Sequence, residues 1–256
     1  VIKPRYEEAS EFHDGLSRVK ANKKYGYIDE RGRMAIPPRF ERAFHFCQGL
    51  AAVADPETHL WGFIDRSGTY AVPPAYRWVG DFSEGLAYVQ TAQGTGCIDR
   101  HGIMVIEPKF FSIGSFSEGL AAFRPIGTGM PRYGYMDKKG NVVIEPQFLF
   151  AGGFSEGVAV ARSAEYAELG YIGKDGKFVI NPVFGYASRF LDGLALVETN
   201  AGWGYIDHSG EIVLQRPEEA SLASLFSNGL ASVKVGEMNG KVGYINKKGR
   251  YVWKPK

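Results

Sequence analysis

Cysteine, histidine and uncompensated charge are all scarce in this chain. Only 2 cysteines and 5 histidines occur in 256 residues. Cys47 and Cys97 have neither the number of a disulfide framework nor the paired spacing of a zinc site. The 30 Lys and Arg residues nearly balance 28 Asp and Glu, leaving a net charge of +2. No basic run occurs, which removes the electrostatic footprint expected for nucleic-acid binding. No stretch approaches the roughly 18 apolar residues of a membrane helix, and no signal-peptide pattern is present. Membrane insertion is therefore not expected, although the chain opens in mid-motif at Val1-Ile2-Lys3-Pro4 and leaves room for a leader or anchor ahead of it. His-Glu-x-x-His, a phosphate-binding Gly-rich loop leading into a helix, and Cys-x-x-Cys are all missing. Neither metal nor cofactor is expected.

Glycine, by contrast, is abundant: 33 residues without a Gly-X-Y period, which implies many tight turns. Their positions repeat. A Gly-Leu or Gly-Val pair recurs at Gly15, Gly49, Gly85, Gly119, Gly157, Gly193 and Gly229, at intervals of 34 to 38 residues. A second glycine, mostly between aromatics, recurs at Gly26, Gly62, Gly96, Gly134, Gly170, Gly204 and Gly243. Prolines mark boundaries at Pro4, Pro38, Pro74, Pro108, Pro146, Pro182 and Pro217, with Pro255 closing the series. The spacing from the second glycine to the next proline is 12 residues in six units. One domain of seven units is expected over 1–256, with units at about 4–37, 38–73, 74–107, 108–145, 146–181, 182–216 and 217–256.

The units share Phe-Ser-Glu-Gly-Leu-Ala and Trp-Gly-Tyr-Ile-Asp stretches, as in Phe116-Ser117-Glu118-Gly119-Leu120-Ala121 and Trp203-Gly204-Tyr205-Ile206-Asp207. In this the chain resembles the WG repeat family of bacterial proteins. Unit three departs, with Thr95-Gly96-Cys97 in place of the aromatics, and unit five has Gly173 in place of the aspartate. The resemblance implies interaction modules and no enzymatic activity.

Short runs rich in Val, Ile, Tyr and Phe, bounded by Gly and Pro, are strands, and no window sustains a helical period. Each unit is expected to supply three to four strands of an all-β fold, the fourth from the Pro-x-Phe-x-x-Ala-x-x-Phe segment. Both faces of these strands are apolar, as in Leu86-Ala87-Tyr88-Val89, which suits sheets packed on both sides. A seven-bladed β-propeller-like ring is favoured, with the N-terminal Pro-x-Tyr segment completing a blade begun by the final hairpin. The alternative is an open β-solenoid or superhelical stack. Trp253 is expected to cover the open end or seal the ring.

The repetition absorbs most apparent chemistry. Asp29, Asp65, Asp99, Asp137 and Asp207, each three residues before Gly32, Gly68, Gly102, Gly140 or Gly210, are expected to cap turns rather than bind metal. Asp14, Glu84, Glu118, Glu156 and Asp192, with Gln48 and Asn228, form a polar ladder of turn residues. Seven quasi-equivalent sites do not separate an acid from a base. Gly153-Phe154-Ser155-Glu156-Gly157 matches a nucleophile elbow only in letters, since it is one copy of the repeated turn. Specificity falls to the loops after Leu-Ala-x-Val, which vary in length. The expectation is a non-enzymatic scaffold binding a protein partner through one rim, at His59, Arg124, Met130, Arg132 and Tyr166. A small-ligand or glycan-binding module is the alternative.

Overall fold

The computed structural model describes residues 5–127, 129–163, 168–217, 219–236 and 240–255. Among them every regular element is a strand, and every pairing described is antiparallel between neighbours in sequence. The chain divides into two compact units, residues 1–129 with 136–142 and residues 130–135 with 143–256. The division falls in the fourth repeat, within the strand Tyr133–Asp137.

In the first unit, Glu8–His13, Leu16–Ala21, Lys24–Asp29 and Met34–Phe40 form one four-stranded sheet. Arg42–Ala43, Ala51–Ala54, Trp61–Ile64 and Tyr70–Tyr76 form the next. A third contains Trp78–Val79, Leu86–Gln90, Thr95–Asp99 and Met104–Ile113. That last strand is long because its end, Phe110–Ile113, also pairs onward with Leu120–Pro125. The second unit repeats the plan. Val142–Ala151, Ala159–Ser163, Leu169–Ile172 and Phe178–Phe184 are joined in order. Tyr186–Ala187, Ala195–Thr199, Gly202–Ile206 and Ile212–Gln215 follow, then Ala220–Ala223, Leu230–Val235, Lys241–Asn246 and Tyr251–Trp253.

The fourth strand runs through the boundary proline to the following aromatic in the first, second and fifth repeats, ending at Phe40, Tyr76 and Phe184. It stops short of the proline in the last two sheets, at Gln215 and Trp253. The first and last sheets each take their four strands from one continuous stretch, residues 8–40 and 220–253. Trp253, expected to cover an end, is instead 62% exposed. No sheet closes on itself among the described residues; a closed ring and an open stack use sheets of this kind alike.

Each core lies between two successive sheets. Leu16, Tyr27, Ile36 and Phe40 pack on Ala43, Phe46, Ala51, Val53 and Ile64 of the next sheet. Ala52, Trp61, Phe63 and Val72 pack in turn on Val79, Phe82, Ala87 and Val89. In the second unit, Tyr171, Ile180 and Phe184 meet Phe190, Ala195 and Val197, and Leu196 and Tyr205 meet Phe226, Ala231 and Val233. A sheet sandwiched this way needs apolar side chains on both faces, which is why Ala51–Ala54 and Trp61–Ile64 are buried at every residue. The small alanine in each Leu-Ala pair lets the sheets approach.

The rigid 12-residue spacing from glycine to proline has a direct cause. The third strand crosses a bulge in the fourth, so that the glycine lies against the proline. A Cβ on Gly62 would stand 2.5 Å from the Val72 carbonyl oxygen and 2.7 Å from the Pro74 nitrogen. Gly26, Gly134 and Gly170 meet Pro38, Pro146 and Pro182 in the same way. In the sixth repeat, where the spacing is 13, Gly204 meets Leu214 and no proline.

Sheets are also tied by buried hydroxyls. Tyr27, Tyr135, Tyr171 and Tyr205, all fully buried, donate to the carbonyls of Phe44, Gly152, Ser188 and Ser224, each the residue just after a strand that ends at Ala43, Ala151, Ala187 or Ala223, at 2.6–2.9 Å. Burial pushes all four phenols upward in pKa.

Candidate functional site

The repeated Phe-Ser-Glu-Gly-Leu turn is a two-residue hairpin. Ser83 and Leu86 exchange both backbone bonds, and Glu84 and Gly85 both have positive φ, at 51° and 85°. This is the type I′ geometry, which suits Asn-Gly or Gly-Gly better than Glu-Gly. The acidic side chain is kept because it reaches the next turn. The Glu84 carboxylate accepts the Gly119 N–H at 3.0 Å, Asp14 accepts Gly49 at 2.8 Å, and Gln48 accepts Gly85 at 3.1 Å. Glu156 and Asp192 do the same for Gly193 and Gly229 in the second unit. The neighbouring hydroxyl adds a second tie: Ser83 donates to the Phe116 carbonyl and Ser155 to that of Phe190. The ladder expected from sequence is thus a chain of sheet-to-sheet hydrogen bonds. Basic residues face it, with Lys138 donating to the Glu84 carbonyl at 2.9 Å and Lys247 lying 3.7 Å from the Asp192 carboxylate.

At the other hairpin the Asp29, Asp65, Asp99, Asp137 and Asp207 carboxylates accept backbone N–H groups two residues on, at 2.8–3.0 Å. Gly32, Gly68, Gly102, Gly140 and Gly210 close the turns by donating to the aspartate carbonyls. These bonds hold the Asp29 carboxyl below its usual range, Arg33 N–H first, and the Asp65 carboxyl, Ser67 hydroxyl first. Among the described residues no group of three or more His, Cys, Asp and Glu is placed to hold a metal ion.

The rim loops of the first unit carry a different surface. Asp55 organises its loop by accepting the N–H groups of Glu57 and Thr58, and His59 Nδ1 lies 2.5 Å from the Glu41 carboxylate. His59 and Glu41 line a cavity of about 240 Å³ with Arg42, Trp61, Arg77 and Trp78. Arg77 and Trp78 are shared with a larger groove of about 540 Å³, lined also by Tyr88, Gln90, Thr91–Thr95, Phe110–Ile113 and Ile126. Three successive loops, at His59, Ala92-Gln93 and Ile126, therefore border one aromatic floor.

The five rim residues expected from sequence fare differently. His59 belongs to this surface. Arg124 does not line the groove but stacks its guanidinium 4.1 Å from the centre of the Phe111 ring, which does; its Nε is buried without a hydrogen-bond partner. In the second unit Met130 is 68% exposed and Arg132 donates to the Gln147 carbonyl at 2.9 Å. Tyr166 lies outside the described residues.

Sequence reasoning missed Arg77, Trp78, Thr95 and Phe111 as parts of a site. The signal was present, because Thr95 and Trp78 both break the repeat. It also missed a cluster in which His13 stacks on His45 at 4.3 Å and His45 Nε2 lies 3.5 Å from the Asp81 carboxylate. Burial raises the Asp81 carboxyl against the two imidazoles. Nearby Cys47 donates its thiol to the Phe82 carbonyl, and burial followed by Asp81 and Asp14 raises its pKa, so it is not an activated thiolate.

The family model described as WG containing repeat matches residues 1–25, 25–54, 61–92, 96–124, 133–163, 170–202 and 203–216. No curated protein matches the sequence. Among solved structures, a eukaryotic initiation factor superposes with a TM-score of 0.60 at 14% identity, covering 92% of this chain and 71% of its own. A puromycin hydrolase mutant complexed with PGG gives 0.51 at 11% identity, with 98% and 53% covered. The tricorn protease gives 0.50 at 11% identity, with 100% and 36% covered. The chain thus spans about half of the hydrolase and about a third of the protease. These likenesses establish an all-β, propeller-like fold. They also correct the expectation of a chain without enzymatic activity, because this fold is shared with a hydrolase and a protease and does not separate scaffold from enzyme.

Proposed function

We propose that this chain, which belongs to the WG containing repeat family, is a binding scaffold that engages a protein partner through the loop rim of its first unit. One observation carries the reading: three consecutive loops border two adjoining cavities over Trp61, Trp78 and Phe111. Trp78 is 38% and Phe111 55% exposed, and both face these cavities. Exposed aromatics in a concave, loop-bordered surface are the usual anchors of protein interfaces. The loops are held before binding. Asp55 fixes the first, and a backbone bond from Thr91 to the Gly94 carbonyl closes the second. Little ordering entropy then opposes association.

The test is a displayed protein library selected against the intact chain, followed by hydrogen-exchange footprinting of the selected binder. Protection is expected at 55–60, at 77–78, at 91–95 and at 111–112. A footprint confined to the Glu-Gly turns or to the second unit would overturn the reading. So would a library without binders while a glycan array or small-molecule set gives saturable hits.

A further inference from the structure

In the second repeat three aromatic rings close the space beside the rim. Trp61 lies 4.9 Å from Phe44 and 5.1 Å from Trp78 of the next sheet, and Phe44 lies 5.8 Å from Trp78, all between ring centres. One repeat further on, all three members of this cluster are replaced. Thr95 stands in the register of Trp61, pairing with Phe110 as Trp61 pairs with Tyr76. Gly80 stands for Phe44, donating to the Tyr88 carbonyl as Phe44 donates to that of Ala52. Ser112 stands for Trp78, pairing with Arg124 as Trp78 pairs with Gln90. Tyr88 takes up part of the released space, since a Cβ on Gly80 would fall 2.1 Å from its ring. What is left is the groove of about 540 Å³, walled by Trp78, Tyr88, Phe110 and Phe111.

We propose that this groove receives an aromatic side chain presented by an acidic segment of the protein partner, in the place that Trp61 fills one repeat earlier. The proposal rests on the rim being a protein-binding surface. Shape and chemistry favour a ring: the walls are aromatic faces and edges, and a ring sealed among them buries about 150–250 Å². The electrostatics choose its flanks. No Asp or Glu lines the groove, whereas Arg77 does. Lys109 and Arg124 sit over the Phe110 and Phe111 rings, so two of the walls already carry a cation. A cationic guest would meet occupied rings and like charge. A carboxylate beside the aromatic residue would meet Arg77 in the groove, with the Arg124 charge behind the Phe111 wall.

The experiment is a two-dimensional NMR titration of the intact chain with N-acetyl-tryptophanamide and with tripeptides carrying Trp between two Asp or between two Lys. Saturable shifts are expected at Thr91–Thr95 and Phe111–Ser112, with the Asp-flanked peptide at least threefold tighter than the Lys-flanked one. Thr95→Trp supplies the residue that the repeat already accommodates. It should keep or raise the melting temperature and weaken peptide binding at least tenfold. Phe111→Ala, at an exposed wall, should weaken binding without altering the fold and serves if Thr95→Trp does not fold. Unchanged binding in either folded variant, shifts confined elsewhere, or preference for the Lys-flanked peptide would each overturn the proposal. So would saturable binding of mono- or disaccharides at these residues in place of the peptides. The two readings separate cleanly. A library-selected partner that protects the rim loops but binds Thr95→Trp unchanged defeats the groove and leaves the rim, whereas tryptophanamide shifts at Thr95 without any protein binder defeat the rim.

Discussion

Replacing Gly62 by alanine and, separately, Gly85 by alanine places one methyl group under two different constraints. At Gly62 the new carbon would stand 2.5 Å from the Val72 carbonyl oxygen, 2.7 Å from the Pro74 nitrogen and 2.8 Å from the Pro73 carbonyl carbon. All three are backbone atoms of the paired strand, so no side chain can rotate away. Relief requires the third and fourth strands to part by more than half an ångström, at a bulge where Pro74 has no freedom in φ. Overpacking of this kind costs about 1–3 kcal/mol even where side chains can adjust, and here about 3 kcal/mol or more is expected. At Gly85 nothing lies within 4 Å of the added carbon, but φ is +85°. Only the left-handed backbone penalty applies, about 1–2 kcal/mol. Equilibrium urea unfolding of the two variants, compared at equal m-value, measures the difference. Gly62→Ala costing no more than Gly85→Ala would refute the account of why the repeat keeps a glycine between its aromatics.

Tyr171→Phe removes a fully buried hydroxyl bonded to the Ser188 carbonyl at 2.9 Å and should cost about 1–3 kcal/mol in denaturant unfolding. Tyr244→Phe, at the same repeat position but exposed, should cost nothing measurable. Burial raises the Cys97 thiol to about 12, so Ellman's reagent at pH 8 should leave it unmodified in the folded protein and label it on unfolding. The Asp65 carboxyl is held below the usual carboxylate range, first by the Ser67 hydroxyl. Its stabilising effect is therefore present above its unfolded pKa and is lost as pH falls through the lower folded value. Asp65→Asn keeps the acceptor, as Asn246 does natively in the last repeat. The stability difference between wild type and this variant should be flat above about pH 5 and shrink below about pH 4, followed by urea midpoint against pH.

Much of the architecture was legible because a repeat states each structural rule seven times. The constant 12-residue interval between the second glycine and the proline is a contact made visible in sequence, since any other length would move the proline off the glycine. The Asp and Gly of the hairpin turns were readable for the same reason: the carboxylate caps and the left-handed glycine act within four residues. The boundaries were less legible. A proline looks like a terminator, yet Pro38 and Pro74 lie inside strands, at bulges that need no N–H donor.

The sequence by itself determined the repeated sheet, its turns and the apolar character of both faces, because these depend on neighbours close along the chain. Only the tertiary structure decided what the side chains between sheets do. The acids before each Gly-Leu look like an exposed ladder in sequence and prove to be ties from one turn to the next, made across about 35 residues. Likewise Gly80, Thr95 and Ser112 lie far apart in the chain and look like three unrelated departures from the consensus. They become one groove because sheet packing brings the matching positions of adjacent repeats together. A site made by the coincident loss of three rings has no motif of its own, and the fold alone brings the three losses into one place.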